Sequence, residues 1–325
     1  MDTARFTSKG FLIPGIIGLV ILAGLATLPL YGSLYNVVLV TTILMYAILT
    51  VSWVMFSGSS GYLSLATATF FGIGIYISTL LLPNTGALLP LLVVVLIAGL
   101  GSSIIALGVG ALTLRLRGIY FAVFTFGLVI LVLELFNWWE HSVSHIRGRF
   151  VMLVDNDIIY FIMLGIFVAT VLTYYFLQRS KFGLALRSIG ENEEAAAHIG
   201  VNVTMVKVIT FGISAFFMGA AGAIWATKLT YIDPYVAYSV NYSFLPVLMA
   251  IFGGMGQIYG PVIGAVIFAY LQEKFQTEFP YYYMLSFGII LIVAILYLPN
   301  GLVGLIQKIA QRLRKGGTGE EYADT

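Results

Sequence analysis

The chain has 325 residues, 60% of them hydrophobic and 9% charged, with a mean hydropathy of +1.00 and a formal net charge of +2. These values lie far outside the range of a water-soluble domain, and the basic residues are spread over short connecting segments rather than gathered into a face for nucleic acid. With no cysteine, the chain has neither disulfides nor thiolate metal sites, and this identifies no compartment.

In chain order, Arg5 and Lys9 precede the apolar run Phe11 to Leu30. That run is too long for the core of a signal peptide and no small-x-small cleavage site follows it, so it reads as a retained first span. From Gly10 to Leu114 there is no Asp, Glu, Lys, Arg or His. A scan for segments of about 20 apolar residues gives ten spans at 11–30, 36–56, 61–82, 88–112, 118–136, 157–177, 207–227, 242–253, 258–274 and 281–299. Peptide groups in hydrocarbon must be bonded within their own segment, so the spans are expected to be helices of an all-α polytopic bundle. The eighth is too short to cross alone and is expected to continue through Gly253-Gly254-Met255-Gly256. An eight-span alternative treats 61–82 and 242–256 as re-entrant.

Ten crossings with a cytoplasmic N-terminus put Arg5, Lys9, Arg115, Arg117, Arg179, Lys181, Arg187, Lys207, Lys308, Arg312, Arg314 and Lys315 inside, and only Arg147, Arg149, Lys228 and Lys274 outside. This bias places both termini in the cytoplasm. The expected organisation is a cytoplasmic N-terminus at 1–10, a membrane domain at 11–300 carrying a cytoplasmic loop at 178–206, and a cytoplasmic tail at 301–325 whose amphipathic start suits the lipid surface. Residues 137–156 read as an outer loop, with Trp138 and Trp139 in an aromatic belt. Glu134 reads as an interfacial residue reaching the outer surface, and the three histidines have no metal-ligand spacing.

Between the spans, the loop at 178–206 is the most informative stretch. Ser188 and Glu191 have capping-box spacing, Glu191, Glu193 and Glu194 favour a helix start, and Gly200 can close the helix. A helix of two to three turns, roughly 15 Å long, would fit a cleft on another protein, although an ordinary solvated loop helix has the same pattern. Within the membrane, Gly58, Gly61, Gly72 and Gly74 are interleaved with Ser64, Thr67 and Thr69, and a later segment carries Gly254, Gln257 and Tyr259. Small residues and hydroxyls serve both helix packing and the lining of a polar pathway, and these six polar or small positions are the pathway candidates.

Several ordered motifs then resemble the LivM-type permeases of branched-chain amino acid ABC importers. They are Gly61-Tyr62-Leu63-Ser64-Leu65 with Phe70-Phe71-Gly72-Ile73-Gly74, Leu114-Arg115-Leu116-Arg117-Gly118, Gly183 through Glu194-Ala195-Ala196 to Gly200, and Gly253-Gly254-Met255-Gly256 with Gly260-Pro261. The resemblance implies a permease that receives its solute from a binding protein, pairs with a second permease that is the same or a different chain, and is driven by two cytoplasmic ATP-binding subunits at the inner membrane. It also implies that Arg187, Glu191, Glu193, Glu194, Ala195, Ala196 and Gly200 form the coupling element against the ATPase. No catalytic residue, cofactor or metal is expected. The chain lacks the Gly-x4-Gly-Lys-Ser/Thr loop that cradles ATP, so hydrolysis is expected on a partner.

One segment departs from the family pattern. Where a Gly- and Thr-rich stretch is usual after span five, this chain has His141-Ser-Val-Ser-His145-Ile-Arg-Gly-Arg149, so an acidic or amide solute stands beside branched-chain amino acids as cargo. The rivals are an ion-coupled secondary transporter, which would use ionisable groups at mid-membrane, and a lipid-modifying transferase, which would need paired acidic residues or a His-Asp pair near the interface, where Asp155 with Asp157 is the only close candidate.

Overall fold

The structure, a computed structural model, describes residues 9–82, 88–151, 154–256 and 259–279, together with positions 288, 301, 302 and 304. Gln257, residues 1–8, nearly all of the expected tenth span and residues 305–325 lie outside the described residues.

The elements are α1 (Lys9–Tyr31), α2 (Leu34–Trp53) with a π-helical turn at Val54–Gly58, α3 (Thr67–Leu81), α4 (Leu88–Thr113), and α5 (Ile119–Trp138) with a second π turn at Trp139–Ser144. After β1 (Arg149–Phe150) come α6 (Asn156–Arg179), α7 (Lys181–Glu191), α8 (Glu193–His198) and α9 (Val203–Ala226). Then follow β2 (Tyr231–Ile232), α10 (Pro234–Ala237), α11 (Asn241–Gly253) and α12 (Tyr259–Glu278). The two strands form one short antiparallel ladder, Arg149 opposite Ile232 and Phe150 opposite Tyr231. Six helical stretches among the described residues are long and apolar enough to cross a bilayer: Leu34–Gly58, Pro90–Thr113, Ile119–Ser144, Asn156–Arg179, Val203–Ala226 and Pro234–Gly253. The chain is an all-α polytopic membrane protein.

Local chemistry accounts for the helix ends and for the hydroxyls inside them. Asp155 accepts from the Asp157 amide at the start of α6, and Asn202 accepts from the Met205 amide at the start of α9. Thr41, Thr50, Thr79, Thr170 and Thr210 each donate to the carbonyl one turn back at 2.7–2.8 Å, so these hydroxyls are satisfied without a partner helix.

Helix α9 lies at the centre, its side chains buried along most of its length against α3 and α4. Gly74 of α3 meets the backbone of Gly219, Gly222 meets the carbonyl of Phe71, and Ser102 of α4 donates to the Phe70 carbonyl at 3.1 Å. Small residues bring the three backbones together, as expected where helices associate without a hydrophobic driving force. By contrast α5 exposes Ile119, Tyr120, Val123, Leu131 and Leu135 along its outer side.

The structure changes three sequence expectations. Residues 61–66 are not helical, and α3 starts only at Thr67, which makes it about 22 Å long at 1.5 Å per residue. The eighth segment does not continue through its glycine turn. Gly254 has φ +98° and reverses the chain, so that Gly253 packs on Gly260 and Gly264 on the Met249 carbonyl; the missing length is supplied upstream by α10. The first part of the expected outer loop, residues 137–144, is helical: α5 runs to Trp138 and the π turn carries on to Ser144, ending at His145 in the left-handed region with φ 53°.

The two interrupted segments meet at one hydroxyl. Ser243 of α11 donates to the Leu65 carbonyl at 2.6 Å and accepts from the Ala68 amide at 3.1 Å. Replacing Ser243 with alanine strands both peptide groups in the interior and should cost about 1–3 kcal/mol. Heat-induced unfolding of the purified chain in detergent should show a lowered midpoint, and an unchanged midpoint would refute this role.

Candidate functional site: a broken crossing between two anchors

Residues 61–66 lie outside any helix: the Gly61 amide still reaches the Ser57 carbonyl and the Ala66 carbonyl the first turn of α3, and between them side chains from neighbouring elements bond the peptide groups of Ser64 and Leu65. Trp53 Nε1 donates to the Ser64 carbonyl at 2.7 Å, the Leu65 amide donates to Thr125 Oγ1 at 3.0 Å, and the Ser64 amide to Ser57 Oγ at 3.3 Å. Ser243 completes the set. Irregular backbone at membrane depth is tolerated only where protein satisfies it in this way, and such breaks mark solute sites in transporters.

Beside the break lies a small cavity of about 10 Å³, room for about one water molecule. Ser57, Ser64, Thr67 and Ser214 supply its hydroxyls. Its walls are aromatic: Phe211 of α9 packs 5.0 Å from Phe56 and 5.3 Å from Phe70, centroid to centroid. Thr67 is 1% exposed and its Oγ1 has no hydrogen-bond partner among the described residues. The structure therefore brings Ser64 and Thr67 together. Thr69 is fully buried but is not among the residues lining this cavity, and Gly254 and Tyr259 sit at the α11–α12 turn, near the end of α2 where Met255 faces Gly58.

On the side of the 178–206 loop, the break ends in a closed polar triangle. The Tyr62 hydroxyl donates to Glu193 Oε2 in a short hydrogen bond. Lys207 Nζ donates to Tyr62 Oη at 3.1 Å, to Glu193 Oε1 at 3.2 Å and to the Leu114 carbonyl at 3.0 Å. Lys207 is 1% exposed, and its three donors are all used, as burial of an ammonium requires. Burial alone would raise the Glu193 carboxyl, but the bonds from Tyr62 and Lys207 and the charge of Arg117 outweigh it and hold the group below its usual 4.5. Arg117 also reaches Glu194 at 3.2 Å, an exposed pair of little energetic weight.

The loop folds differently from the capping-box expectation. Ser188 lies inside α7 and donates to the Leu184 carbonyl at 3.1 Å, while Asn192 caps α8 by accepting from the amides of Glu194 and Ala195. The helix is shorter in consequence, six residues closed by Gly200 at φ +88°. Glu193 is turned inward and Ala196 is buried; Arg187, Glu191, Glu194, Ala195 and Gly200 are exposed, and Ile199 is 75% exposed at the tip. The Arg187 guanidinium also donates to Gln178.

At the other end of α5 from Arg117, Tyr76 of α3 donates to Glu140 Oε1 at 2.9 Å, and the Gly148 amide to Oε2 at 3.0 Å. Glu140 is 3% exposed, and Tyr238 stacks on Tyr76 at 5.6 Å. Arg149, expected on the outer loop, lies 5.2 Å over the Trp139 ring. Glu140, Lys207, Tyr62, Ser243 and Asn192 are the residues that sequence reading left without a role. Only Asn192 carried a local signal, as a cap residue two and three positions before the amides it accepts from.

The comparisons with known proteins agree with this architecture. The family model described as branched-chain amino acid transport system / permease component matches residues 35–295. The high-affinity branched-chain amino acid transport system permease protein LivM of Salmonella typhimurium is 27% identical over 311 residues, 85% of this chain and 71% of that one. LivM of Escherichia coli is 26% identical over 327 residues, 91% and 76% of the two chains. The ribose import permease protein RbsC of Haemophilus influenzae is 28% identical over 129 residues, 38% of this chain and 40% of that one. No solved structure matches the chain. On the strength of the family match across most of its membrane domain, the chain belongs to the branched-chain amino acid permease family of ABC importers.

Proposed function

We propose that the chain carries a small polar solute across the inner membrane, as one of two permeases that receive it from a solute-binding protein and are driven by two cytoplasmic ATP-binding subunits. We infer ten crossings with both termini cytoplasmic. Tyr62 bonds toward the 178–206 loop while Tyr76 lies near the opposite end of α5, which supports 61–82 as a full crossing over the re-entrant alternative. The segment from β2 through α11 returns in the other direction, with Tyr238 beside Tyr76 and Met255 beside Gly58.

The observation that carries the reading is the pair of interrupted crossings joined at Ser243, beside a cavity whose hydroxyls are partly unpaired. Hydroxyls set among Phe56, Phe70, Phe211 and Met218 suit a solute with hydrogen-bonding groups and an apolar side chain, which favours branched-chain amino acids or a related amino acid, amide or carboxylate. At about 10 Å³ the cavity admits no such solute, so on this reading it must widen for the solute to pass. The exposed surface around α8, with Glu191 at the end of α7, Glu194 and Ala195 of α8, and Ile199 just beyond it, is the docking surface for the ATPase.

Thr67→Val tests the pathway. It removes an unpaired buried hydroxyl with little change of shape, so thermal stability should stay level or rise slightly. Uptake of radiolabelled leucine into proteoliposomes holding the whole complex should nevertheless fall about tenfold, the scale of one lost hydrogen bond to the solute. Unaltered uptake would remove Thr67 from the pathway. Glu194→Lys tests the docking surface: the chain should insert normally while the ATPase no longer co-purifies with it, and normal co-purification would count against α8 as the contact.

A further inference from the structure

We propose that Tyr62, Glu193 and Lys207 form the link through which α8 moves the broken crossing, and that residues 61–81 carry the displacement to the outer loop around Glu140. The inference rests on ATPase docking at α8, but it concerns residues that face away from the docked partner.

Glu193 belongs to α8 by sequence and to the membrane domain by contact. Its two carboxylate oxygens are taken by Tyr62 and Lys207, and it is the member of the acidic turn that is drawn inward while Glu191 and Glu194 remain exposed. Lys207 lies at the start of α9 and also holds the Leu114 carbonyl at the end of α4. The triangle therefore connects α8 with the break, with α4 and with α9 in one set of bonds. Lys207 is almost fully buried, so its ammonium must keep these partners as α8 moves; releasing one would leave a charge or a charged-group donor unpaired in the interior.

Beyond Tyr62 the chain is soon tied down. Ser64 and Leu65 are pinned by Trp53, Ser57, Thr125 and Ser243, and α3 follows from Thr67 as a rigid rod whose second half carries Tyr76 onto the buried Glu140. A tyrosine–carboxylate bond thus fastens each end of one crossing, the inner one to the coupling loop and the outer one to the π turn of α5. Pull on Glu193 is delivered first to the segment lining the cavity and then to the outer loop. This makes Tyr62 a positioning residue: it touches no solute and no nucleotide.

The test uses Tyr62→Phe in the complete complex, permeases with ATPase and binding protein in proteoliposomes. The substitution removes one hydroxyl and keeps the ring that packs edge-on against Phe121 at 5.6 Å. The chain has no cysteine, so a single cysteine at exposed Ser142 carries an environment-sensitive fluorophore as a reporter of the outer loop. In the otherwise unaltered chain, trapping with ATP and vanadate should change the reporter signal. In Tyr62→Phe the ATPase should still co-purify and still trap vanadate. The reporter response should be largely lost, and leucine taken up per ATP hydrolysed should fall about tenfold, the scale of one hydrogen bond to a charged group.

A reporter response equal to that of the parent would overturn the link, as would a parent chain whose outer loop does not respond at all. Loss of the ATPase from Tyr62→Phe would overturn it too, because the residue would then support docking rather than transmission. Failure of the functional reading looks different: the ATPase would be absent from the parent complex itself.

Discussion

A peptide group in hydrocarbon has no water to fall back on, and the stretch from Gly61 to Ala66 runs through the protein outside any helix. At its middle, Ser64 and Leu65 take their hydrogen bonds from Trp53 of α2, Ser57 of the π turn that follows it, Thr125 of α5 and Ser243 of α11. This obligation organises the surrounding bundle. It draws three helices onto one short stretch of chain and fixes where α3 begins. It also leaves Thr67, the first helical residue, facing a space too small for anything but water.

The same reasoning explains the composition of the site. Hydroxyls and an indole can bond a carbonyl or an amide without bringing a charge into lipid, whereas a carboxylate or ammonium needs a complete set of partners. The chain keeps its buried ions at the two ends of the crossing. Lys207 and Glu193 share one end, where an ammonium with three acceptors balances the carboxylate; Glu140 is held at the other by a tyrosine and a backbone amide. Between them the interior relies on neutral donors and aromatic rings.

Much of the bundle was legible because hydrocarbon leaves the backbone few choices. Runs of about 20 apolar residues had to be helices, and α2, α4, α5, α6 and α9 appear close to their expected limits. Gly200 closes α8 as its position suggested. The break at 61–66 was not legible, since averaged hydropathy is as high for an apolar segment bonded by its neighbours as for one bonded to itself. Lys207 entered the charge count as one more cytoplasmic cation. Its acceptors lie at Glu193, Leu114 and Tyr62, 14, 93 and 145 residues away, so no local pattern announces them. Glu140 was hidden for a related reason: the π turn rotates it toward Tyr76, and an extra residue per turn leaves no trace in a hydrophobic scan.

The seam between α3 and α9 has a mechanical consequence of its own. Where Gly74 rides on Gly219 and Gly222 on the Phe71 carbonyl, neither helix offers a side chain to seat in the other. Interlocking side chains index a pair of helices in discrete steps of a turn, whereas two bare backbones present a nearly smooth track. That stretch of the central contact is thus built as a bearing, close enough to exclude lipid, while the ring of Phe70 against Phe211 supplies side-chain interlock elsewhere along the same pair.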